Sequence, residues 1–283
     1  MSFLETTILG AIAGFTIYLG LPVGRMPTTS VRLRVGLAMF SAGILAFIFM
    51  DVTTHAQAIV DTALTNFKHH KAGFAPVVGL FAMLAVGFTL GTAGISHAER
   101  NLRRRRTAVL PVTGGAATAV LASDETRLQQ ERNRAALKTG LIIAAAIGVH
   151  NFAEGLAIGV SAKAGAIGLA TVLIIGFGLH NATEGFGIVG PLGGVRPSWR
   201  WLGLAGLIGG GPTFVGTLVG YQLHSDALEL CAYALAGGAI LYVIGEIWGG
   251  MRRFGYRTSG LYLLAAGFLV GVATDLIVTY GGA

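Results

Sequence analysis

The chain alternates between long apolar runs and short polar segments. Eight of the apolar runs hold about 20 residues, the length that an α-helix needs to cross the hydrocarbon core of a bilayer. The sequence therefore predicts an all-α membrane protein with eight transmembrane helices. The predicted helices cover residues 5–23, 35–55, 74–96, 138–161, 166–189, 200–222, 228–249 and 259–280.

Two of the predicted helices carry the same polar pattern inside their apolar runs. A His and a Glu four residues apart share one helix face, and the Asn after the His directs an oxygen toward nearly the same side. An ionisable group at membrane depth costs at least ~2.5 kcal/mol and is usually paired, buried or functional. Two such faces can enclose a cation, whereas the alternative is a set of hydrogen bonds that only joins two helices. The residues are His150, Asn151 and Glu154 in the fourth helix, and His180, Asn181 and Glu184 in the fifth.

The fourth and fifth helices are joined by only a few residues around 162–165, so they are expected to form an antiparallel hairpin. His150 and His180 lie equally far from Gly165 along the chain. That separation corresponds to roughly 22 Å of helix, so both imidazoles reach matching depth. The two glutamates lie one turn to either side of that level. The pattern thus predicts a stack of polar groups with more than one coordinating position.

The ligand types select the cation. Imidazole nitrogens with carboxylate and amide oxygens suit first-row divalent metals, of which zinc is the first choice, with iron, manganese, cobalt or cadmium as further guests. The single cysteine, Cys231, supports neither a disulfide nor a thiolate site. Three glycines of the fourth helix are expected to let another helix approach closely. These glycines are Gly148, Gly155 and Gly159.

Other ionisable residues inside apolar runs are candidates for the same pathway. Asp51 and His55, again four apart, lie at the predicted outer end of the second helix and suit an entry position. Glu246 lies near the cytoplasmic end of the seventh helix and suits an exit position. Structural pairing is an equal alternative for these three residues. Asp275 is a further candidate, and Glu5 is interpreted as a terminal residue.

The composition indicates a membrane protein, and the distribution of charge predicts its orientation in the membrane. The 283 residues are 53% hydrophobic and 12% charged, against about a quarter charged in soluble domains. All of the 20 basic residues except Lys68, Lys71 and Lys163 fall in alternate loops, which predicts that both termini lie outside the cytoplasm. The same rule explains the net charge of +7, so nucleic-acid binding is not expected. The first apolar run is interpreted as a retained helix in the cell (inner or plasma) membrane.

One long polar segment divides the chain. The residues from His97 to Lys138 contain the run Arg103–Arg106 and are expected to form a mobile cytoplasmic linker, with a short helix near 124–136. The predicted organisation is helices one to three in 1–97, a basic loop in 98–137, the metal-binding hairpin in 138–190, and helices six to eight in 191–283.

The doubled His-Asn-x-x-Glu-Gly motif resembles that of the ZIP family of divalent-metal transporters. The resemblance extends to the segments FMDVTTHA and AILYVIGEIW and to the long loop before the fourth helix. It implies a 3+2+3 helix arrangement in which the first and last triplets form an inverted repeat, with metal moving into the cytoplasm. By that resemblance the six motif residues are transport ligands, with two metals bridged by the two glutamates as one version of the site.

The chain also departs from the family pattern. Ala153 and Thr183 stand where family members often have a proline, which puts the expected helix kinks in doubt. Gly211 and Pro212 stand where the sixth helix commonly supplies Glu-Pro. If those positions correspond, one strong metal site with a weakened or absent neighbour is expected.

The leading functional hypothesis is a transporter that is not an enzyme, has a divalent metal as its substrate and uses no organic cofactor. An intramembrane metalloenzyme with the same ligands is a second hypothesis, but it needs an open metal position and a separate acid or base. A metal-gated channel or sensor is a third. The expected partners are the metal ion and the lipid bilayer, and a homodimer is left open.

Overall fold

The structure is a computed structural model that describes residues 1–26, 30–104, 117–223, 225–255 and 257–281. Across these residues every regular element is a helix, and eight helices are long and apolar enough to cross a membrane. The predicted all-α class and the eight membrane-capable helices are therefore confirmed for the described part of the chain.

The eight helices keep the order of the apolar runs. They are α1 (Phe3–Phe15, continued by Ile17–Gly20 and the 3₁₀ turn Leu21–Arg25), α2 (Val31–Lys68), α3 (Ala75–Thr89, continued by the π-helical turn Leu90–Gly94 and by Ile95–Arg104), α4 (Ala117–Lys163), α5 (Ile167–Val189, followed by the 3₁₀ turn Gly190–Leu192), α6 (Trp199–Gln222), α7 (Asp226–Phe254) and α8 (Arg257–Gly281).

Serine side chains begin three of these helices. The hydroxyls of Ser2, Ser30 and Ser198 accept hydrogen bonds from backbone N–H groups three residues later, at 3.1–3.2 Å. Each bond satisfies one of the donors that a helix start leaves unpaired. Glu5 completes a capping box on Ser2, in keeping with its interpretation as a terminal residue. Gly165 lies between α4 and α5 with φ of 79°, a conformation that glycine adopts without a steric cost.

Two helices are longer than the apolar runs predicted. α2 has 38 residues and continues to Lys68, so Asp51 and His55 lie inside the helix and not at its end. The stretch after His55 contains alanine, leucine and glutamine, which favour helix even where the pattern is less apolar. α4 has 47 residues and begins at Ala117, so the short helix predicted near 124–136 is continuous with the fourth membrane helix. Residues 105–116, in the middle of the predicted linker, lie outside the described residues.

Packing groups the helices differently from their order in the chain. α1 packs against α5 and α6, and α4 packs against α5 and, most extensively, α6. α2 packs against α7 and α8, and α3 packs against α7. Contacts of α4 with α7 and of α2 with α5 join the two groups. The hairpin of α4 and α5 is therefore in contact with both groups.

Glycines set the close approach of α4 to α6. A Cβ atom at Gly155 would overlap the carbonyl oxygen of Thr213, and one at Gly148 or Gly159 would overlap other carbonyl oxygens of α6. The contact is reciprocal, because a Cβ at Gly216 of α6 would overlap the carbonyl oxygen of Phe152 in α4. The predicted role of these three α4 glycines is confirmed, and α6 is the helix that they admit.

Candidate metal centre

The centre of the hairpin brings one carboxylate between two imidazoles. Glu154 Oε1 lies 2.9 Å from His150 Nε2 and 2.5 Å from His180 Nε2. His150 and Glu154 are one turn apart on α4, and His180 comes from the facing side of α5. His150 is fully buried, and the His180 side chain keeps 12% of its surface exposed. The four-residue spacing and the hairpin thus bring these groups together, as the sequence predicted.

Glu184 joins the group from α5. Its Oε1 lies 3.4 Å from His150 Nε2, and its Oε2 accepts a 3.1 Å hydrogen bond from Asn151 Nδ2. Asn151 Nδ2 also donates to the carbonyl oxygen of Gly209 in α6, at 2.9 Å. Asn151 therefore orients the Glu184 carboxylate and ties it to the neighbouring helix.

Several polar atoms of this cluster are buried without a hydrogen-bond partner. Because most buried polar atoms in folded proteins do have such a partner, a group of exceptions in one place indicates a function. His150 Nε2 lies 2.9 Å from Glu154 Oε1 and 3.4 Å from Glu184 Oε1, distances that suit ion pairs, but neither contact has the directional geometry of a hydrogen bond. These buried nitrogen and oxygen atoms are potential ligands for a cation. The unpartnered atoms are His150 Nδ1 and Nε2, Asn151 Oδ1, Glu154 Oε2 and Glu184 Oε1.

The spacing of the ligand atoms suits a first-row metal ion. One ligand atom each from His150, His180 and Glu184 can be chosen so that all three lie within 4.8 Å of one another. Two ligands of one zinc ion are at most about 4.2 Å apart, since each Zn–N or Zn–O distance is about 2.1 Å. The limit of 4.8 Å exceeds that value by about 0.6 Å, so the three atoms would have to approach one another by at most that amount to share one ion. The two imidazoles and the carboxylates that the sequence predicted as ligands therefore lie close together, as a metal site would require.

Asn181 behaves differently from its counterpart Asn151. Its Nδ2 donates a 3.0 Å hydrogen bond to the carbonyl oxygen of Ala13, so it links α5 to α1. Its Oδ1 is buried and has no hydrogen-bond partner. Neighbouring helix residues point about 100° apart, so Asn181 faces α1 while His180 faces Glu154.

A large cavity leads to the cluster from one side. It has a volume of about 790 Å³ and lies between α2, α5 and α8. His180 and Thr183 line it, and so do Asp51, His55 and Asp275. The His55 and Asp51 side chains are 57% and 42% exposed, so the cavity is reached from the protein surface. It therefore connects the surface with His180.

The predicted Asp51 and His55 pair is formed inside this cavity. His55 Nδ1 lies 3.5 Å from Asp51 Oδ1 and 3.0 Å from the Asp51 carbonyl oxygen. Asp275, which the sequence marked only as a further candidate, reaches the same space from α8. The sequence does not predict that Asp275 lies near Asp51 and His55, because it does not show that α8 packs against α2.

The structure also shows the surroundings of Glu246 in α7 and of Gly211 in α6. Glu246 is half-buried in α7 and is not among the residues that line the cavity. A Cβ at Gly211 would meet only Leu207 Cδ1 within 4 Å, and Leu207 is itself 56% exposed. A side chain at position 211 would thus point toward the outer surface of α6.

Thr213 of α6 is a buried polar residue that the sequence pattern does not mark. Its hydroxyl is buried without a hydrogen-bond partner, beside the position that a Cβ at Gly14 of α1 would take. No sequence signal distinguishes it, because threonine hydroxyls in helices commonly bond to their own backbone. The neighbouring Thr217 illustrates this, as it donates to the Thr213 carbonyl oxygen at 2.8 Å.

Comparison with known proteins supports a relation to metal transporters. No family model matches the chain. The chain is 30% identical over 152 residues to the zinc transporter ZupT of Clostridium perfringens (strain 13 / Type A), a match that covers 52% of this chain and 53% of that protein. The chain thus spans about half the length of this curated relative. The match confirms the resemblance to ZIP-family zinc transporters that the paired motifs indicated, and the eight apolar helices fit a transporter of that type.

Proposed function

We propose that this protein is a membrane transporter that moves divalent transition-metal ions, zinc foremost, into the cytoplasm. The proposal rests on one cluster of side chains that contact one another in the buried centre of eight membrane-capable helices: His150, Glu154, His180 and Glu184. A cavity reaches this group from the surface. The 30% identity to a zinc transporter supports zinc as the first substrate to test.

The cluster would replace part of the water shell of the ion. The two imidazole nitrogens and the two carboxylates are the direct ligands, and they also compensate the positive charge at membrane depth. Asn151 holds Glu184 in position and offers Oδ1 as a further oxygen ligand. Asn181 offers Oδ1 in the same way, while its nitrogen remains on Ala13. Glu154, which lies between both imidazoles, provides the bridge along which the ion changes partners.

The route of the ion follows from the placement of the other candidates. Asp51 and His55 attract the ion in the cavity, and His180 receives it at the inner end. Glu246 in α7 is the proposed exit residue toward the cytoplasm. Each step exchanges one weak ligand set for another, which keeps the ion from being trapped at one site.

The proposed placement in the membrane is that of an integral protein of the cell membrane with both termini outside. It rests on the basic residues, which collect in alternate loops. We also propose that helices one to three and six to eight form the two halves of an inverted repeat around the hairpin, a 3+2+3 arrangement. In this arrangement the long basic segment near 98–137 lies in the cytoplasm.

Zinc uptake into proteoliposomes tests the proposal. His180→Ala and Glu184→Ala each remove a direct ligand, so uptake at limiting zinc is expected to fall by at least about tenfold. His69→Ala and Glu131→Ala are the matched controls, because both residues are exposed and lie outside the cluster. Zinc binding to the purified protein, measured by titration calorimetry, is expected to weaken in the same two ligand variants.

Two results would speak against transport. Uptake that is the same in Glu184→Ala and Glu131→Ala would remove the cluster from the pathway. Zinc-dependent hydrolysis without any flux would favour an intramembrane metalloenzyme with the same ligands.

A further inference from the structure

The cavity between α2, α5 and α8 is larger and more apolar than an ion pathway requires. A divalent ion with six waters occupies about 180 Å³, since each water takes about 30 Å³. The cavity volume of about 790 Å³ is several times that value. Phe40, Phe47 and Phe177 line it together with aliphatic side chains. Cavities of about 300–1,000 Å³ with mainly apolar walls and a few polar groups are typical of sites for small organic ligands.

The charged side chains that line the cavity favour a ligand with a positive charge. Asp51 and Asp275 contribute two carboxylates from α2 and α8, and no lysine or arginine is found among the described residues that line the cavity. The two imidazoles, His55 and His180, are the other ionisable groups. A low-dielectric wall strengthens the attraction of a cation to these carboxylates and the repulsion of an anion.

The aromatic walls add to the same preference. An aromatic face attracts a cation that lies within about 6 Å of its centre, and the attraction is largest where water is excluded. Phe177 packs edge-on against His180, with 5.3 Å between the ring centres, so an aromatic ring lies beside the His180 imidazole. An aromatic or aliphatic body would occupy the walls while its positive centre faces the carboxylates.

We propose that this cavity is a binding site for an organic cation with an aromatic or branched aliphatic body. A molecule held there covers His180 and separates the metal cluster from the surface. The inference concerns the cavity alone and goes beyond the proposed function, since it holds whether or not the cluster carries metal across the membrane.

Equilibrium dialysis of the purified protein in detergent tests the inference with two probes of the same shape. Tetraphenylphosphonium is the cation, and tetraphenylborate is its anionic counterpart. The cation is expected to bind saturably, with one molecule per chain, and the anion is expected to show only unsaturable partition into detergent. Because this readout measures neither metal binding nor flux, its failure leaves the proposed transport intact.

Substitutions in the cavity locate the bound cation. Asp275→Asn and Asp51→Asn each remove one carboxylate at a partly exposed position, so affinity for tetraphenylphosphonium is expected to fall by about fivefold. Asp61→Asn is the matched control, because Asp61 is exposed on the same helix as Asp51 and does not line the cavity. The inference is overturned if both probes bind equally, if the cation does not saturate, or if Asp61→Asn weakens binding as much as Asp275→Asn. A monodisperse elution profile for each variant excludes misfolding as the cause.

Discussion

At the scale of single residues, the side chains of the two motifs meet at Glu154, whereas the two asparagines bond to different partners. The four-residue spacing fixes His150 and Glu154 on one face of α4, and the short turn at Gly165 brings His180 opposite them. Both features follow from helix geometry alone. The two asparagines do not follow from helix geometry in this way, because Asn151 bonds to Glu184 whereas Asn181 bonds to Ala13. Their identical motif positions do not reveal which helix each one faces.

This difference between the asparagines gives a prediction. Asn151→Leu removes the donor to the Glu184 carboxylate, so zinc affinity is expected to fall by about tenfold, as for other groups that orient metal ligands. Asn181→Leu removes the bond to Ala13, so it is expected to lower thermal stability and to change zinc affinity less. Titration calorimetry and thermal unfolding of both variants check the order. A larger loss of zinc affinity in Asn181→Leu would contradict the assignment of Asn151 as the orienting residue.

At the scale of helices, the apolar runs identify the elements but not their partners. A run of about 20 apolar residues is sufficient evidence for a membrane-capable helix, and each predicted run overlaps one of the eight observed helices. The glycines of α4 show that some helix comes close, but the sequence does not name α6. Which helices pack together depends on the shapes of the two helix surfaces that meet. Apolarity gives little preference for one partner helix over another, since lipid is as apolar as the helices. The apolar runs do not predict the extra length of α2 and α4, because the ends of these helices are less apolar than their centres.

The α4–α6 contact leads to a prediction about two glycines of the same helix. A Cβ at Gly216 would overlap the backbone of Phe152, which lies between the proposed metal ligands of α4, whereas a Cβ at Gly203 meets nothing within 4 Å. Gly216→Ala is expected to force the helices apart, lowering the unfolding temperature and zinc uptake together. Gly203→Ala is expected to be neutral or to stabilise the helix by up to about 1 kcal/mol, because alanine favours helix over glycine. Thermal unfolding in detergent and proteoliposome uptake measure both effects, and equal behaviour of the two variants would disprove the close contact.

At the scale of the whole molecule, the proposed metal site is reached from one side. The cavity lies along the part of α5 that follows Ile167 and along the part of α8 that ends at Gly281. On the far side of the cluster, Ile188, Ile247 and Met251 are buried in the packed core. In the proposed orientation, which has the C-terminus outside, this arrangement corresponds to a site that is open to the outside and closed toward the cytoplasm.

The orientation of the chain therefore decides from which side the ion enters the described cavity. In a Cys231→Ala background, Ser2→Cys is expected to react with a membrane-impermeant maleimide on intact cells, because the proposed orientation has the N-terminus outside. Arg132→Cys, in the exposed N-terminal part of α4, is expected to react only after the membrane is permeabilised. The Cys231→Ala chain without an added cysteine gives the background of labelling. The reverse labelling pattern would turn the cavity toward the cytoplasm, so that Asp51 and His55 would lie on the exit side and the proposed direction of transport would have to be inverted.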